Sequence, residues 1–387
     1  MKDNFSNYPK GTESYEIFKD FLGDGIFNSD GENWKFHRKT ASHMFKINQL
    51  KDEMTNIFVK HADRIVKNLS ELSNIQIDIQ QVFYNYTLST IYELGIGVPL
   101  SFTSNSLIFS EAFDSVQQSI DKRFFNPLWK IFKYFNIGRE KKINTSLKII
   151  NNNISYIIKN YKTLSINNQS ILAHYIKTNP YMNCNEIKDI ILNFMLAGRD
   201  TTAVLLSWSI YIIMKYPEYQ TKILDEFSKV NSFDYKSIMK LKYLQVFLYE
   251  VLRLYPSVPL NSKIAVNKDT LPNKAKIYSG DRIVFSSWNI GRNQNIWKNP
   301  ECFIPERWLN NDDKISQYEF VAFNAGYRTC LGKTMAILEA SIILIKLLQK
   351  FKFESVKNIN DINYNPKIIL SIKGGLPVKI SVNKKYD

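Results

Sequence analysis

The stretch Phe323-Asn-Ala-Gly326-Tyr-Arg328-Thr-Cys330-Leu-Gly332, followed shortly by the apolar run AILEASIILIKLL, is the most informative part of the chain. A cysteine stands just ahead of a segment whose apolar spacing predicts a helix. The dipole and exposed N–H groups of a helix N-terminus lower a thiol's pKa and favour metal ligation by the thiolate. Gly326 and Gly332 allow a tight turn or a close approach of backbone to a flat ligand. Arg328 offers a cation to an acidic group on that ligand. A lone cysteine in such a loop also reads as a buried structural thiol. The full pattern Phe-x-x-Gly-x-Arg-x-Cys-x-Gly is far more specific.

Four shorter motifs precede it. WKFHR places Trp34 and Arg38 one helical turn apart, an aromatic N–H and a guanidinium facing the same way, which suits an anionic ligand edge. AGRDTT, Ala197 to Thr202, interrupts an apolar helix with small residues and sets Asp200 beside Thr201. A threonine hydroxyl bonded to an upstream carbonyl bends a helix and frees backbone groups for water, a setting for a proton relay. EVLR puts Glu250 and Arg253 three residues apart on one helix face between apolar flanks, and FIPERW supplies Arg307 as a third member. Read singly, each motif also fits a bland alternative: an amphipathic surface helix, a polar stripe or a surface ion pair.

The chain has 387 residues, 44 % hydrophobic and 14 % aromatic, enough for a large core, and its composition excludes wholesale disorder. Its net charge of +15 favours an acidic partner or an anionic membrane, although the richness in Asn and Ile also marks AT-rich coding. The basic residues are dispersed and no nucleic-acid reader motif is present, so nucleic acid is not the expected partner. Cys184, Cys302 and Cys330 are too few and too scattered for a disulfide scaffold or structural zinc, and the four histidines show no metal-ligand spacing. No signal peptide or membrane span is visible; the apolar run from Ile187 is broken by Asn193, Arg199 and Asp200. Asn183 and Glu186 spell a capping box ahead of that run. Short alternating stretches between Ser262 and Trp288 predict strands, and PKIILSIKGGLPVKISV predicts a hairpin turning at Gly374-Gly375. The chain reads as mainly α with small β-sheets and as a single domain over residues 1–387.

The order WKFHR, AGRDTT, EVLR, FIPERW, FNAGYRTCLG resembles the cytochrome P450 haem-thiolate monooxygenases over essentially the whole chain. The resemblance implies haem b as cofactor and Cys330 as axial ligand of its iron. It implies that Phe323 packs near the cysteine and that Trp34, Arg38, Arg328 and Lys263 contact the haem propionates, with Gly332 beside the ligand. Glu250, Arg253 and Arg307 match the structural triad that braces the haem-binding core. Asp200 and Thr201 match the acid-alcohol pair that delivers protons during dioxygen activation. Arg199 and Tyr327 fall at positions that vary in the family.

In finer detail LGDGIFNSDGENWKFHRKTAS, NPLWKIFKYFNIG, IILNFMLAGRDTTA and WNIGRN resemble eukaryotic fatty-acid and alkane hydroxylases. That implies insertion of one atom of O2 into an apolar, fatty-acid-like substrate, with electrons from an NADPH-cytochrome P450 reductase-type flavoprotein. It further implies a monomer, with the family at the endoplasmic reticulum membrane on its cytosolic face and this shorter chain either cytoplasmic or in peripheral contact with that membrane. Phe124, Phe125, Trp129, Phe132 and Phe135 form an aromatic segment where related enzymes line the access channel and touch the membrane; the alternative is that they pack the core. The chain begins just before the WKFHR helix, which implies a fold lacking the N-terminal anchor, first helix and most of the first sheet. Two rival activities remain: a haem-thiolate isomerase or dehydratase, against which the Asp200-Thr201 pair argues, and an inactive haem-binding fragment.

Overall fold

A computed structural model describes residues 2–45, 48–71, 76–102, 105–164, 166–230, 232–309, 315–365 and 367–383. Helices dominate. In chain order they are α1 (Thr12–Leu22), α2 (Gly31–Met44), α3 (Asn48–Ser70), α4 (Ile79–Ile96), α5 (Ser106–Ile120), α6 (Trp129–Tyr134) and α7 (Gly138–Lys159). They continue with α8 (Ile171–Thr178), α9 (Cys184–Lys215), α10 (Glu218–Ser228), α11 (Tyr235–Ile238), α12 (Lys242–Leu254), α13 (Ser287–Ile290) and α14 (Lys333–Lys350). The strands are β1 (Gln76–Asp78), β2 (Leu260–Ile264), β3 (Asp269–Thr270), β4 (Lys276–Ile277), β5 (Arg282–Ser286), β6 (Phe351–Ser355) and β7 (Pro377–Val382).

α9 is the central element. The predicted capping box opens it: Asn183 Oδ1 accepts from the Glu186 amide at 3.0 Å, and Glu186 Oε2 accepts from the Asn183 amide at 2.8 Å. The helix is buried along most of its length and packs against α4, α12 and α14. Among the described residues it is the one helix long and apolar enough to cross a membrane, and 78 % of its most apolar window is buried inside the protein. Its polar interruptions have partners: Asn193 Nδ2 donates to Leu22 O at 2.8 Å and Oδ1 accepts from the Phe27 amide at 2.9 Å. A continuous hydrophobic core runs from Ile17 in α1 to Ile380 in β7. α7 enters it through Ile143, Leu147, Ile150, Ile154 and Ile157, the spacing of a helix face.

The sheets are small and antiparallel, in the orders β1-β7-β6, β2-β5 and β3-β4. β2 and β5 pair with Lys263 opposite Ile283, and β3 and β4 flank the Pro272-Asn273 turn. The C-terminal hairpin does not form as the alternation predicts. The chain does turn at Gly374-Gly375, but β7 pairs with β6 and β1, with Phe353 opposite Ile380 and Gln76 opposite Lys379. The first arm is held elsewhere: Leu370 O accepts from Trp208 Nε1 at 2.8 Å, and the Leu370 amide donates to Ser257 O at 3.0 Å. Buried bonds to α9 and to the loop after α12 take the polar groups a hairpin partner would have used.

Ahead of the WKFHR helix lies α1, and before it a segment that runs beside β2. The Ile264 amide donates to Pro9 O at 3.0 Å and the Val266 amide to Asn7 O at 2.9 Å. That pairing delivers Lys10 to the site described next.

Candidate active site

The Cys330 loop is closed by its own backbone: the Cys330 amide donates to Phe323 O at 2.8 Å. The turn passes through Gly326 at φ +68°, a left-handed conformation that favours glycine. Gly332 caps α14 at φ −87°, open to any residue. What it offers is the missing Cβ, which would stand 4.0 Å from Cys330 Sγ. Cys330 is itself accessible, yet protein surrounds it closely enough to desolvate the thiol, so it faces a concavity in the protein. Burial pushes the thiol up, against the Gly332 amide and the charges of Arg38 and Lys333. The predicted lowering by the helix N-terminus is thus outweighed, because loss of hydration penalises a thiolate more than one amide and two nearby cations relieve it. Phe323 lies beside this loop, with Lys333 Nζ 5.3 Å from its ring centroid.

Cations from four separate segments converge around Arg328, two residues before Cys330: Lys10, Arg38 on α2, Lys263 on β2, and Arg328 itself on the 3-10 turn Gly326–Arg328. Their near acid is Asp30. It accepts from Arg328 Nη2 at 2.5 Å and from the Lys10 amide at 2.9 Å. The Arg328 guanidinium lies 4.6 Å from the Trp34 ring centroid, so Trp34 serves as its platform. The balance is one-sided. Lys263 Nζ and Arg328 Nε are buried with no hydrogen-bond partner. Burial, with the charge of Arg328, lowers Lys263 to about 8, and burial with Arg328 and Lys263 lowers Lys10 to about 7. A site with surplus buried cations and orphaned donors is built for an anion.

On α9, Leu196, Ala197, Gly198 and Thr201 are partly accessible within a helix otherwise buried from Ile190 to Ile213. Thr201 Oγ1 donates to Ala197 O at 2.6 Å, and Thr201 O accepts from Ser257 Oγ at 2.8 Å. The helix continues through this back-bond from Cys184 to Lys215. Asp200 turns the other way and is fully buried; its Oδ1 accepts from Arg199 Nη1 at 3.0 Å, and its Oδ2 has no partner. Burial raises Asp200 to about 7 even with Arg199 beside it. Glu250 receives Arg253 and Arg307 together, as EVLR and FIPERW foreshadow. Arg307 Nε lies 3.0 Å from Glu250 Oε1, and the Ile304 amide and Trp308 Nε1 also donate to this carboxylate, each at 2.9 Å.

The cytochrome P450 family model matches residues 1–378 of the chain. The chain is a cytochrome P450. Cytochrome P450 704C1 of Pinus taeda is 33 % identical over 431 aligned positions that cover 100 % of this chain and 83 % of the relative. Cytochrome P450 704B1 of Arabidopsis thaliana is 34 % identical over 440, covering 98 % and 84 %. Cytochrome P450 86B1 of Arabidopsis thaliana is 33 % identical over 421, covering 98 % and 74 %. As a cytochrome P450 this protein is a monooxygenase, takes haem as its cofactor, and has the mainly helical fold expected of it.

The residues present suit haem. Its two carboxylates match the surplus cations, above all the orphaned Lys263 Nζ, and its iron requires one accessible cysteine sulfur, which Cys330 offers as a thiol that would lose its proton on ligation. The polar side of this cytochrome P450 also holds groups that motif reading missed. Lys10 and Asp30 escaped because each lies in an ordinary polar stretch and acquires meaning only when β2 and the Cys330 loop fold against it. Arg199 sits in the AGRDTT motif as a varying position, yet it is wholly buried and bonded to the motif's acid. A charged residue in the middle of an apolar helix was the available signal.

Proposed function

We propose that this cytochrome P450 hydroxylates medium- or long-chain fatty acids or alkanes at or near the chain end, drawing electrons from an NADPH-cytochrome P450 reductase-type flavoprotein. The single observation that carries the monooxygenase chemistry is the accessible Cys330 thiol close to a group of cations that outnumber their one acid, with Lys263 Nζ and Arg328 Nε left without partners. In this reading Cys330 would ligate the haem iron, and Lys10, Arg38, Lys263 and Arg328 would hold the propionates, with Trp34 packed against the Arg328 guanidinium. Bound haem supplies dioxygen activation, with thiolate ligation favouring O–O cleavage. Asp200 gives up a proton at Oδ2, and the Thr201 hydroxyl, on the accessible side of α9, orients its delivery. Ala197 keeps the side chain small beside that hydroxyl, whereas Gly198 lets Ile91 of α4 pack directly against the helix.

The fatty-acid assignment rests on the finer sequence resemblance. The aromatic segment supports a lipid setting. Phe125, Tyr134 and Phe135 are 75 %, 84 % and 63 % exposed, and Phe124, Leu128, Ile131, Phe132 and Ile137 are exposed around them. Trp129 alone is buried, with the Arg123 guanidinium 4.5 Å from its ring centroid. So much contiguous apolar surface suits peripheral contact with the endoplasmic reticulum membrane on its cytosolic face. Lys39, exposed on α2, faces outward for an acidic flavoprotein surface, whereas Lys35 is already paired with Glu32 at 2.6 Å.

A spin-state titration with a chain-length series of fatty acids, followed by product analysis with reductase and NADPH, tests the proposal. Terminal or near-terminal hydroxy acids are expected. Low-spin spectra throughout with no hydroxy acid would overturn the substrate. Failure to consume NADPH in the presence of reductase would overturn the redox partner.

A further inference from the structure

Arg199 is enclosed on every side, with no solvent exposure of its side chain. Nη1 donates to Asp200 Oδ1 at 3.0 Å and to Gln117 Oε1 at 3.4 Å, and Nη2 donates to Asp114 on α5. The Tyr84 and Phe113 rings cover the guanidinium, with centroids at 4.9 and 5.3 Å. Two atoms of the cluster are buried without a partner, Arg199 Nε and Asp200 Oδ2. Asp200 has no exposure, whereas the Asp114 side chain keeps 29 %. One guanidinium therefore ties a sealed carboxyl group to one that reaches solvent.

We propose that Arg199 is a positioning residue for proton delivery: bound to Oδ1, it presents Oδ2 of Asp200 as the free proton-carrying atom, and it links Asp200 to Asp114 as the solvent-side point of reloading. This rests on the reading of Asp200 as proton donor. A carboxyl sealed in apolar surroundings would stay neutral and give up nothing. The guanidinium opposes that burial, and the charges facing Asp200 from the other elements, Asp114 on α5 and Asp121 just after it, limit its effect, while the Tyr84 hydroxyl of α4, held protonated by burial, faces it as a neutral group. Both protonation states of Asp200 are then reachable near neutrality. One proton leaves Oδ2 and one enters from water at the Asp114 side. Arg199 remains charged throughout, because a guanidinium does not deprotonate in proteins.

The two partners of Arg199 act on Asp200 with opposite signs, which makes the inference testable in the haem-loaded protein. Arg199→Met, Asp114→Asn and Asp200→Asn are compared after each shows the wild-type reduced-CO spectrum. Product formed per NADPH is followed against pH. The carboxylic acid C=O band absent from Asp200→Asn is titrated by infrared difference spectroscopy. Arg199→Met is expected to raise the titration of that band and the alkaline limb of the profile by about one pH unit or more, and to lower product per NADPH several-fold. Asp114→Asn is expected to move both downward, since it removes a like charge and leaves the guanidinium to Asp200 alone. Should Arg199→Met fail to load haem, the downward shift in Asp114→Asn decides. Unshifted band and profile in the variants that load haem overturn the inference while an impaired Asp200→Asn leaves the proton-donor reading standing. An Asp200→Asn variant with wild-type product yield overturns both.

Discussion

Glu250 and Arg253 form a two-bond fork with no solvent exposure on either side chain: Arg253 Nε donates to Oε2 and Nη2 to Oε1, each at 2.8 Å. Arg253 spends its remaining donors on the carbonyls of Gly291, Pro300 and Cys302, at 2.5, 2.6 and 2.9 Å. The pair thereby gathers the chain from Gly291 to Trp308 against α12, the segment that leads into the Cys330 loop. Glu250→Ala leaves Arg253 with an uncompensated buried charge and should cost on the order of 3–5 kcal/mol. Denaturant unfolding and the yield of haem-loaded protein check this. Wild-type loading would mean that the fork does not brace the site.

Cys330→Ser should abolish the strongly red-shifted Soret band of the reduced CO complex, which requires a thiolate opposite CO. Cys184→Ser and Cys302→Ser should retain it, because neither lies in the cation-lined loop. Retention of the band in Cys330→Ser would remove Cys330 as the ligand.

Lys263→Met should act in opposite directions on the haem-free and the loaded protein. In the haem-free chain burial holds Lys263 at about 8 against 10.5 ordinarily. Between those values the unfolded chain carries the proton and the folded chain does not, so stability rises with pH across that window. Lys10, at about 7, adds a rise of the same sign from lower pH. Lys263→Met removes its share, giving a flatter profile and a more stable haem-free protein below pH 8. Haem binding should weaken, for lack of a carboxylate partner. Thermal midpoints against pH and a haem titration give both readings; an unchanged slope or tighter haem binding would contradict them.

Thr201→Ala should bind haem and consume NADPH while diverting electrons to peroxide, because the hydroxyl on the accessible side of α9 is gone. It also releases the Ala197 carbonyl from its 2.6 Å bond. The ratio of hydroxylated product to NADPH is the measurement, and an unchanged ratio would count against the assigned role.

The double variant Phe125→Glu, Phe135→Glu should reduce binding to phospholipid vesicles several-fold, with the reduced-CO spectrum unaltered. Both rings are well exposed and outside the core, so their loss carries little folding cost. Equal vesicle binding by sedimentation would remove this face as the membrane contact.

Read from the sequence alone, Cys330, Arg328, Glu250, Arg253, Asp200 and Thr201 were all legible, because each lies in a short motif whose spacing is local chemistry. The helical class was legible too, from apolar spacing such as that between Ile143 and Ile157, and so was the N-terminus of α9 through its capping box. Local periodicity said less about partners across the chain. The alternation around Gly374-Gly375 announces strands without naming what they pair with, and β7 found β6 and β1 because buried bonds at Leu370 had claimed the other arm. The aromatics of residues 124–135 were equally compatible with core and surface, and only packing left most of them outside.

The site shows the same division. Motif spacing picks out candidate groups for the chemistry: one thiol ahead of a helix, one acid beside one alcohol, and a supply of cations. Tertiary structure alone decided their charge states and company. It brought Asp30 and Arg328 together across 298 residues, with Lys10 and Lys263 beside them, and set Arg199 between Asp200 and Asp114. The physical reason is that a pKa and an ion pair depend on burial and on distance in space, and neither is encoded in the spacing of residues along a chain.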